Sequence, residues 1–178
     1  MKVGLLFGSF NPIHIGHLAI ANYMVAKTDL EQVWLIVSPH NPLKEKKSLA
    51  DGKKRLAQVK KAIGRNSKIK VSDVEFKLPQ PSYTITTLGV LKNKYPKHKF
   101  VLIIGSDNLG LLRRWKEYEK ILIGYKIYVY PRSGSEGGKF KSHRNVKFFD
   151  APLLDVSSTF IRQAIKKGKD IIHLLPAK

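Results

Sequence analysis

Two histidines three residues apart are the side chains of this sequence best placed to do chemistry. His14 and His17 lie in the segment Gly8–His17, which directly follows the apolar run Val3–Phe7. That order predicts a buried strand, a glycine-bearing turn, and a helix whose first turn presents both imidazoles beside free backbone N–H groups. A helix N-terminus with such donors predicts a phosphate site, and we expect Gly8 to let phosphate approach the main chain without a Cβ in the way.

A second group of donors lies near the carboxyl end of the sequence. Ser157 is a predicted N-cap, and Ser158 and Thr159 add hydroxyl groups to the helical turn that follows. Arg162 lies near the same face and offers a planar guanidinium to phosphate oxygens. A Ser-Ser-Thr helix start alone is ordinary capping, but beside the first motif it predicts a second helix N-terminus facing the same triphosphate.

These two segments resemble the HxGH and ISSTxIR signatures of the nucleotidyltransferase superfamily, with Val156 in place of the isoleucine. Members of that superfamily move a nucleotidyl group from a nucleoside triphosphate to a phosphorylated acceptor, without a covalent intermediate. The resemblance implies that His14, His17 and Arg162 are the catalytic residues. It fits the chemistry, because in-line transfer at phosphorus needs positioning and charge stabilisation more than a protein nucleophile.

Three further segments are similar to those of bacterial nicotinate-mononucleotide adenylyltransferases. Gly105–Trp115 resembles GADxxxxxxxW, Ser82–Thr87 resembles SYTxxT, and Asn41–Lys44 resembles NPxK. In that family the tryptophan stacks on the pyridine ring, and donors around the SYT segment bind its carboxylate. The acceptor-binding residues that the resemblance implies are Asn41, Lys44, Tyr83, Thr84 and Trp115.

The resemblance also implies the reaction and the rest of the site. ATP and nicotinate mononucleotide would give deamido-NAD and pyrophosphate, in NAD biosynthesis. Mg²⁺ would enter with ATP rather than occupy a dedicated protein cage, so no protein metal site is expected, and Asp107 would orient the ribose or a Mg²⁺-bound water. The implied ATP-binding residues are Gly8, Ser9, Phe10, His14, His17, Gly105, Asp107, Ser157, Ser158, Thr159 and Arg162.

The segment Ser82–Thr87 predicts that nicotinate is preferred to nicotinamide. A helix N-terminus near Thr84 offers hydroxyl and backbone donors, and we expect no Asp or Glu nearby. The amide NH₂ of nicotinamide would then meet another donor, whereas the carboxylate of nicotinate would accept charge-assisted hydrogen bonds. We therefore expect a preference of at least about 10²-fold in kcat/KM.

Two alternative functions remain open. Another HxGH transferase, such as pantetheine-phosphate adenylyltransferase, would explain both phosphate motifs but not the pairing of Ser82–Thr87 with Trp115. A non-catalytic nucleotide- or RNA-binding protein would explain a formal net charge of +20, from 33 Lys and Arg against 13 Asp and Glu. However, the basic residues are dispersed and aromatic residues do not interleave with them, so nucleic acid is not an expected partner.

The elements that must position these motifs alternate between strands and helices. The alternation predicts an α/β protein with a Rossmann-like, doubly wound parallel sheet, helices on both faces, and ligands at the carboxyl ends of the strands. Phe100–Ile104 is the predicted central strand. Ile69–Phe76 is predicted as a strand, Trp115–Leu122 as a helix and Ser133–Lys141 as a mobile loop.

Composition sets the remaining bounds. With 178 residues and 43% apolar content, we expect residues 1–178 to form a single nucleotidyltransferase domain. The absence of cysteine excludes disulfides and thiolate metal sites. Neither a signal peptide nor an apolar stretch long enough for a bilayer is evident, so we expect a cytoplasmic enzyme with no membrane contact. The oligomeric state is left open, a homo-oligomer included.

Overall fold

A computed structural model of the protein describes residues 1–40, 49–153 and 156–176. Within these residues six strands form one sheet in the order β3-β2-β1-β4-β5-β6, and every neighbouring pair is parallel. This confirms the predicted α/β Rossmann-like fold, whereas the single domain over residues 1–178 stays a prediction. The strands are β1 Lys2–Gly8, β2 Gln32–Val37, β3 Ile69–Ser72, β4 Lys99–Gly105, β5 Lys126–Tyr130 and β6 Val146–Phe148.

Helices connect the strands. Local signals set their starts, since Asp51 caps its helix by accepting a hydrogen bond from the Lys54 backbone N–H at 3.0 Å. In the part of the chain that the structure describes, no helix is both long and apolar enough to cross a bilayer. The helices are α1 Ile15–Lys27, α2 Gly52–Ile63, α3 Thr84–Lys94, α4 Ser106–Gly110, α5 Tyr118–Gly124 and α6 Ser158–Lys166, with 3₁₀ turns at Val74–Lys77, Leu112–Arg114, Gly138–Phe140 and Ile172–Leu174.

The two sides of the sheet are buried under separate apolar layers. On one side, Leu6 of β1 packs in a cluster with residues of α1 and α2. On the other side, Leu5 packs with residues of α3 and α5. Alternate strand residues therefore point into opposite layers, and Phe100–Ile104 of β4 is buried throughout, as expected of a central parallel strand.

The strand order reverses between β1 and β4. The chain runs from β1 outward through β2 and β3, and from β4 outward through β5 and β6. Ligands of doubly wound sheets bind in the crevice at such a switch point, beyond the carboxyl ends of the strands. Here that point lies between Gly8, which ends β1, and Gly105, which ends β4.

Three predicted elements differ from the structure. Strand β3 ends at Ser72, and the chain then forms the 3₁₀ turn Val74–Lys77, so the predicted strand Ile69–Phe76 is too long. Helix α5 begins after Glu117, whose left-handed φ of 51° interrupts the predicted helix Trp115–Leu122. The predicted loop Ser133–Lys141 contains the 3₁₀ turn at residues 138–140, and its mobility stays a prediction.

Candidate active site

A cavity of about 480 Å³ lies over the switch point of the sheet. Its walls come from the segment after β1, the first turn of α1, the start of α4, the end of β5 and the first turn of α6. The two motifs at opposite ends of the sequence are therefore brought together. All the predicted ATP-binding residues except Gly105 line this cavity, and Gly105 lines the neighbouring one.

The two histidines stack against each other at the N-terminus of α1. His14 is the N-cap residue and His17 lies in the first turn, with ring centroids 3.7 Å apart and an interplanar angle of 30°. The His14 backbone N–H donates to Nδ1 of His17 at 3.3 Å. Because Nδ1 accepts a hydrogen bond, the proton of a neutral His17 ring lies on Nε2, which gives that nitrogen the character of a donor.

Burial dominates the acid–base behaviour of His14. The side chain is 4% exposed, and burial, assisted by the positive charge of Arg132, lowers the pKa of His14 to about 4. The ring is therefore neutral at pH 7. Nδ1 of His14 and Oγ of Ser9 are buried without a hydrogen-bond partner among the described residues, and both residues line the cavity.

Gly8 has a packing role in addition to the predicted one. A Cβ at this position would lie 2.8 Å from Cζ of Phe10, which itself has a positive φ of 45°. The glycine thus makes room for an aromatic ring, which then meets His17 edge-on at a centroid distance of 4.9 Å. We infer that Gly8 shapes the wall behind the histidines, and the approach of phosphate to its main chain stays a prediction.

The second motif holds the first motif in place. Ser157 is the N-cap of α6, as predicted, and its Oγ accepts from the Phe160 backbone N–H at 3.1 Å. Ser158 Oγ donates to the carbonyl of Pro12 at 3.0 Å. Arg162 donates from Nη1 to the carbonyl of Asn11 at 2.7 Å. These bonds fix α6 against the loop that precedes α1, so both helix N-termini open into the same cavity.

Arg162 and Thr159 also contact each other. Arg162 donates from Nη2 to Oγ1 of Thr159 at 3.2 Å, and both side chains line the cavity. The Arg162 guanidinium has five N–H donors in a fixed plane. It can therefore keep its bonds to the protein while presenting others to a phosphate.

A buried arginine supports the floor of the site, and sequence reasoning missed its role. Arg55 of α2 is 1% exposed, and burial lowers the pKa of its guanidinium, partly offset by Asp51. Four main-chain carbonyls surround this cation, so the ends of the segments after β1 and β2 are held to α2. The acceptors are the carbonyls of Ser9, of Ser38 at 2.9 Å, of Pro39 at 2.8 Å and of Ala50 at 2.9 Å.

Arg132 is a further cavity residue that the sequence did not suggest. Its Nε lies 4.0 Å from Oδ2 of Asp107, and its backbone N–H donates to Oγ of Ser106 at 2.9 Å. A Cβ on Gly105 would clash with both Asp107 and Arg132, so the glycine lets this ion pair form at the end of β4. Arg132 thereby brings a positive charge to the same cavity as Arg162.

A second cavity of about 300 Å³ adjoins the first. Tyr83, Thr84 and Trp115 line it, as predicted for the acceptor site, whereas Asn41 and Lys44 lie outside the described residues. Trp115 is not on a helix but in an extended conformation before α5. The two cavities share a wall, which consists of Leu6, Phe7, Gly8, Ser9, Asp107, Asn108 and Tyr130.

The expectation that no acidic residue lies near Thr84 was wrong. Glu75, which is 2% exposed, lines the second cavity. Its two carboxylate oxygens accept from Oγ of Ser82 at 2.8 Å and from Oγ1 of Thr87 at 2.7 Å. The sequence placed Glu75 in a strand, and the 3₁₀ turn after β3 instead directs it under the start of α3.

Two cations also face this second cavity. Arg114 and Lys116 line it, and Nζ of Lys116 lies 4.6 Å from the centroid of the Tyr83 ring. A cation at this distance over an aromatic face is attracted by the ring quadrupole. The cavity therefore combines aromatic walls, a helix N-terminus and positive charge, which suits a planar anionic ring.

A parallel sheet of this order, with two helix N-termini open to one cavity at its switch point, defines a Rossmann-like protein built to hold phosphates. The family model described as cytidylyltransferase-like matches residues 5–164. The chain belongs to that family, and within it to the nicotinate-nucleotide adenylyltransferases, which confirms the resemblance in the sequence.

Relatives match along the whole chain. It is 55% identical over 180 residues to a Flavobacterium johnsoniae protein named "Probable nicotinate-nucleotide adenylyltransferase", covering 100% of this chain and 93% of that protein. A Cytophaga hutchinsonii protein of the same name is 51% identical over 175 residues, covering 98% and 91%. A solved Plasmodium falciparum nicotinic acid mononucleotide adenylyltransferase, complexed with NaAD, shares the fold with a TM-score of 0.82, at 21% identity over 97% of this chain and 87% of that one.

Proposed function

We propose that this protein transfers the adenylyl group of ATP to nicotinate mononucleotide, giving deamido-NAD and pyrophosphate. The observation that carries the proposal is the pair of adjoining cavities at the switch point, one with phosphate-type donors and one with aromatic walls. The relatives named as nicotinate-nucleotide adenylyltransferases support the same reaction.

The arrangement favours direct transfer. The triphosphate would lie between the N-termini of α1 and α6, and the pyridine ring would lie against Trp115 in the second cavity. The acceptor phosphate would then meet the α-phosphorus where the two cavities adjoin, beside the residues that line both. An acceptor oxygen forms the new P–O bond, and the bond from the α-phosphorus to the bridging oxygen breaks, so that pyrophosphate carries away the electron pair.

The catalytic work assigned to the protein is positioning and charge stabilisation. Nε2–H of His17 would donate to a phosphate oxygen as negative charge builds up, and His14 would do the same as a neutral ring. Arg162 and Arg132 would bind the departing pyrophosphate, since both guanidinium groups line the first cavity. Asp107 would orient the ribose or a metal-bound water.

Mg²⁺ would accompany ATP. The described residues contain no group of three or more His, Asp or Glu side chains suited to a metal, and Asp107 is the carboxylate beside the first cavity. That donor set fits a metal held chiefly by phosphate oxygens and water, which would supply charge neutralisation at the triphosphate. Such an enzyme would work in the cytoplasm, where ATP is available.

The test is pyrophosphate release from ATP across a panel of acceptors. We expect rapid release with nicotinate mononucleotide and slower release with nicotinamide mononucleotide. Rapid release with pantetheine phosphate alone would favour another transferase of the superfamily. If no phosphorylated acceptor supports release while ATP still binds, the protein is a nucleotide-binding protein and the proposal fails.

A further inference from the structure

A buried acid supports the wall of the second cavity. Glu75 is 2% exposed, and among the described residues no lysine or arginine forms an ion pair with it. Both partners of its carboxylate are neutral hydroxyl groups at the start of α3, Ser82 and Thr87. Burying a carboxylate without a cation is costly, so its presence at a ligand cavity needs an explanation.

The hydrogen bonds fix the direction of both hydroxyl protons. A carboxylate oxygen only accepts, so Ser82 and Thr87 donate their protons to Glu75 and cannot donate the same protons to a ligand. The main-chain carbonyl of Tyr83, at the N-cap of α3, lies 3.3 Å from Oγ1 of Thr87 and is a second, more distant acceptor for the same proton. Glu75 therefore holds the residues on both sides of Tyr83 and Thr84, which line the cavity together with Ser82.

At the start of α3, the donors that remain for a ligand are the main-chain N–H groups and the hydroxyl of Thr84, which lines the cavity. The first N–H groups of a helix have no intrahelical partner, and Tyr83 makes no side-chain cap to them. Their aim depends on how the first turn of α3 is held. The only side-chain acid found beneath that turn, within the described part of the chain, is Glu75.

We propose that Glu75 is a positioning residue that gives the second cavity its selectivity for a carboxylate-bearing acceptor. By holding Ser82 and Thr87, it aims the main-chain N–H groups at the start of α3 into the cavity. This inference rests on the proposed function, and it assigns the selectivity to a residue that acts through that turn rather than by contact with the acceptor.

A simpler electrostatic role makes the opposite prediction. If Glu75 acted only as a nearby negative charge, it would repel an anionic acceptor and its removal would tighten binding of nicotinate mononucleotide. If it acts by alignment, its removal loosens the N–H donors and binding weakens. The Glu75→Gln variant separates the two roles, because it removes the charge and keeps nearly the same shape.

The experiment measures KM for nicotinate mononucleotide, nicotinamide mononucleotide and ATP, together with the thermal midpoint of unfolding. For Glu75→Gln we expect KM for nicotinate mononucleotide to rise by about 10-fold or more, as typical for a lost bond to a charged group. KM for nicotinamide mononucleotide and for ATP should change by less than about 3-fold. Selectivity between the two acceptors therefore falls.

A second variant changes the same network without touching Glu75. Thr87→Val keeps the volume of a side chain that is fully buried and lines neither cavity, and removes only its hydroxyl. We expect the same shift in the nicotinate KM, by about 3- to 10-fold. Thr86→Val is the matched control, because Thr86 is exposed on the adjacent helix position and makes no bond to Glu75.

The outcomes separate this inference from the proposed function. Failure of the unmodified enzyme to use nicotinate mononucleotide overturns the proposed function. With that activity present, tighter nicotinate binding by Glu75→Gln, equal changes in all three KM values, or an unchanged Thr87→Val enzyme overturns the role of Glu75. Should Glu75→Gln not fold, the comparison of Thr87→Val with Thr86→Val decides alone.

Discussion

The two cavities at the switch point are built in different ways. The first is formed mainly by two short contiguous motifs, and its buried polar atoms at Ser9 and His14 have no partner among the described residues. The second takes residues from the ends of β1 and β4, the turn after β3, the start of α3 and the segment before α5. Its hydroxyl groups at Ser82 and Thr87 are already bonded to Glu75.

Two buried side chains of opposite charge also support the site. Arg55 donates to the main-chain carbonyls of Ser9 and Ser38, which follow β1 and β2, and Glu75 accepts from side-chain hydroxyls beside the second cavity. Such charges are stable only when hydrogen bonds satisfy them. The contrast indicates that the first cavity is ready to bind phosphate through its own groups, whereas selectivity in the second depends on a supporting network.

The largest effect should come from the first cavity. His17→Ala should lower kcat by about 10²–10³-fold while KM for ATP changes little, because the lost donor acts on charge that develops during transfer. Steady-state kinetics with both substrates measures this. His173→Ala, at an exposed residue that lines neither cavity, serves as the control. Equal losses in kcat and in ATP affinity would mean that His17 only binds ground-state phosphate.

In the second cavity, the stacking residue should matter equally for both acceptors. Trp115→Ala should raise KM by about 10-fold for nicotinate and for nicotinamide mononucleotide, because stacking does not depend on the ring substituent.

Thr84→Ala should instead reduce the preference for nicotinate over nicotinamide mononucleotide, which is expected to be at least about 10²-fold in kcat/KM for the unmodified enzyme. Comparable turnover of the two acceptors by that enzyme would contradict the assigned selectivity.

The contrast between a site built from contiguous motifs and one built from distant segments also explains which features the sequence could predict. Helix α1 and the N-cap Ser157 were predicted correctly, because caps and apolar periodicity are signals within a few residues. Glu75 was missed, because the apolar spacing of Ile69–Phe76 suits a strand and outweighed the short turn signal at Ser72 and Asp73, where the Val74 N–H donates to Oγ of Ser72 at 3.3 Å. Its partners lie 7 and 12 residues further along the chain, so only the folded structure brings them together.

Trp115 shows a similar limit. The family resemblance predicted that Trp115 binds the acceptor, and the structure shows that it lines the second cavity, whereas its contact with the acceptor stays a prediction. Periodicity put it on a helix, which was wrong, because a turn with the left-handed Glu117 follows Trp115 and α5 begins only at Tyr118. Tertiary contacts determine the backbone conformation of such short connections more than the intrinsic helix propensity of their residues does.

A pH experiment tests whether His14 is buried in the first cavity as a neutral ring. The pKa of His14 is about 4 in the folded protein and near 6.5 when unfolded. The unfolded chain therefore binds the additional proton first, and the free energy of unfolding should fall as pH drops from about 6.5 to 4, by on the order of 3 kcal/mol. His14→Asn should flatten this part of the profile, measured by denaturant titration. An unchanged profile would contradict burial of a neutral His14.

The smallest effect is expected at the rim of the second cavity. Lys116→Met should raise KM for nicotinate mononucleotide by only about 2- to 5-fold, because an exposed charge is screened by solvent and salt. The rise should be smaller for nicotinamide mononucleotide and should shrink at high salt. Lys120→Met is the matched control, since Lys120 pairs with Glu117 and lines neither cavity. An equal rise for both acceptors would place Lys116 against the phosphate that they share, and the second cavity would then owe its selectivity to α3 alone.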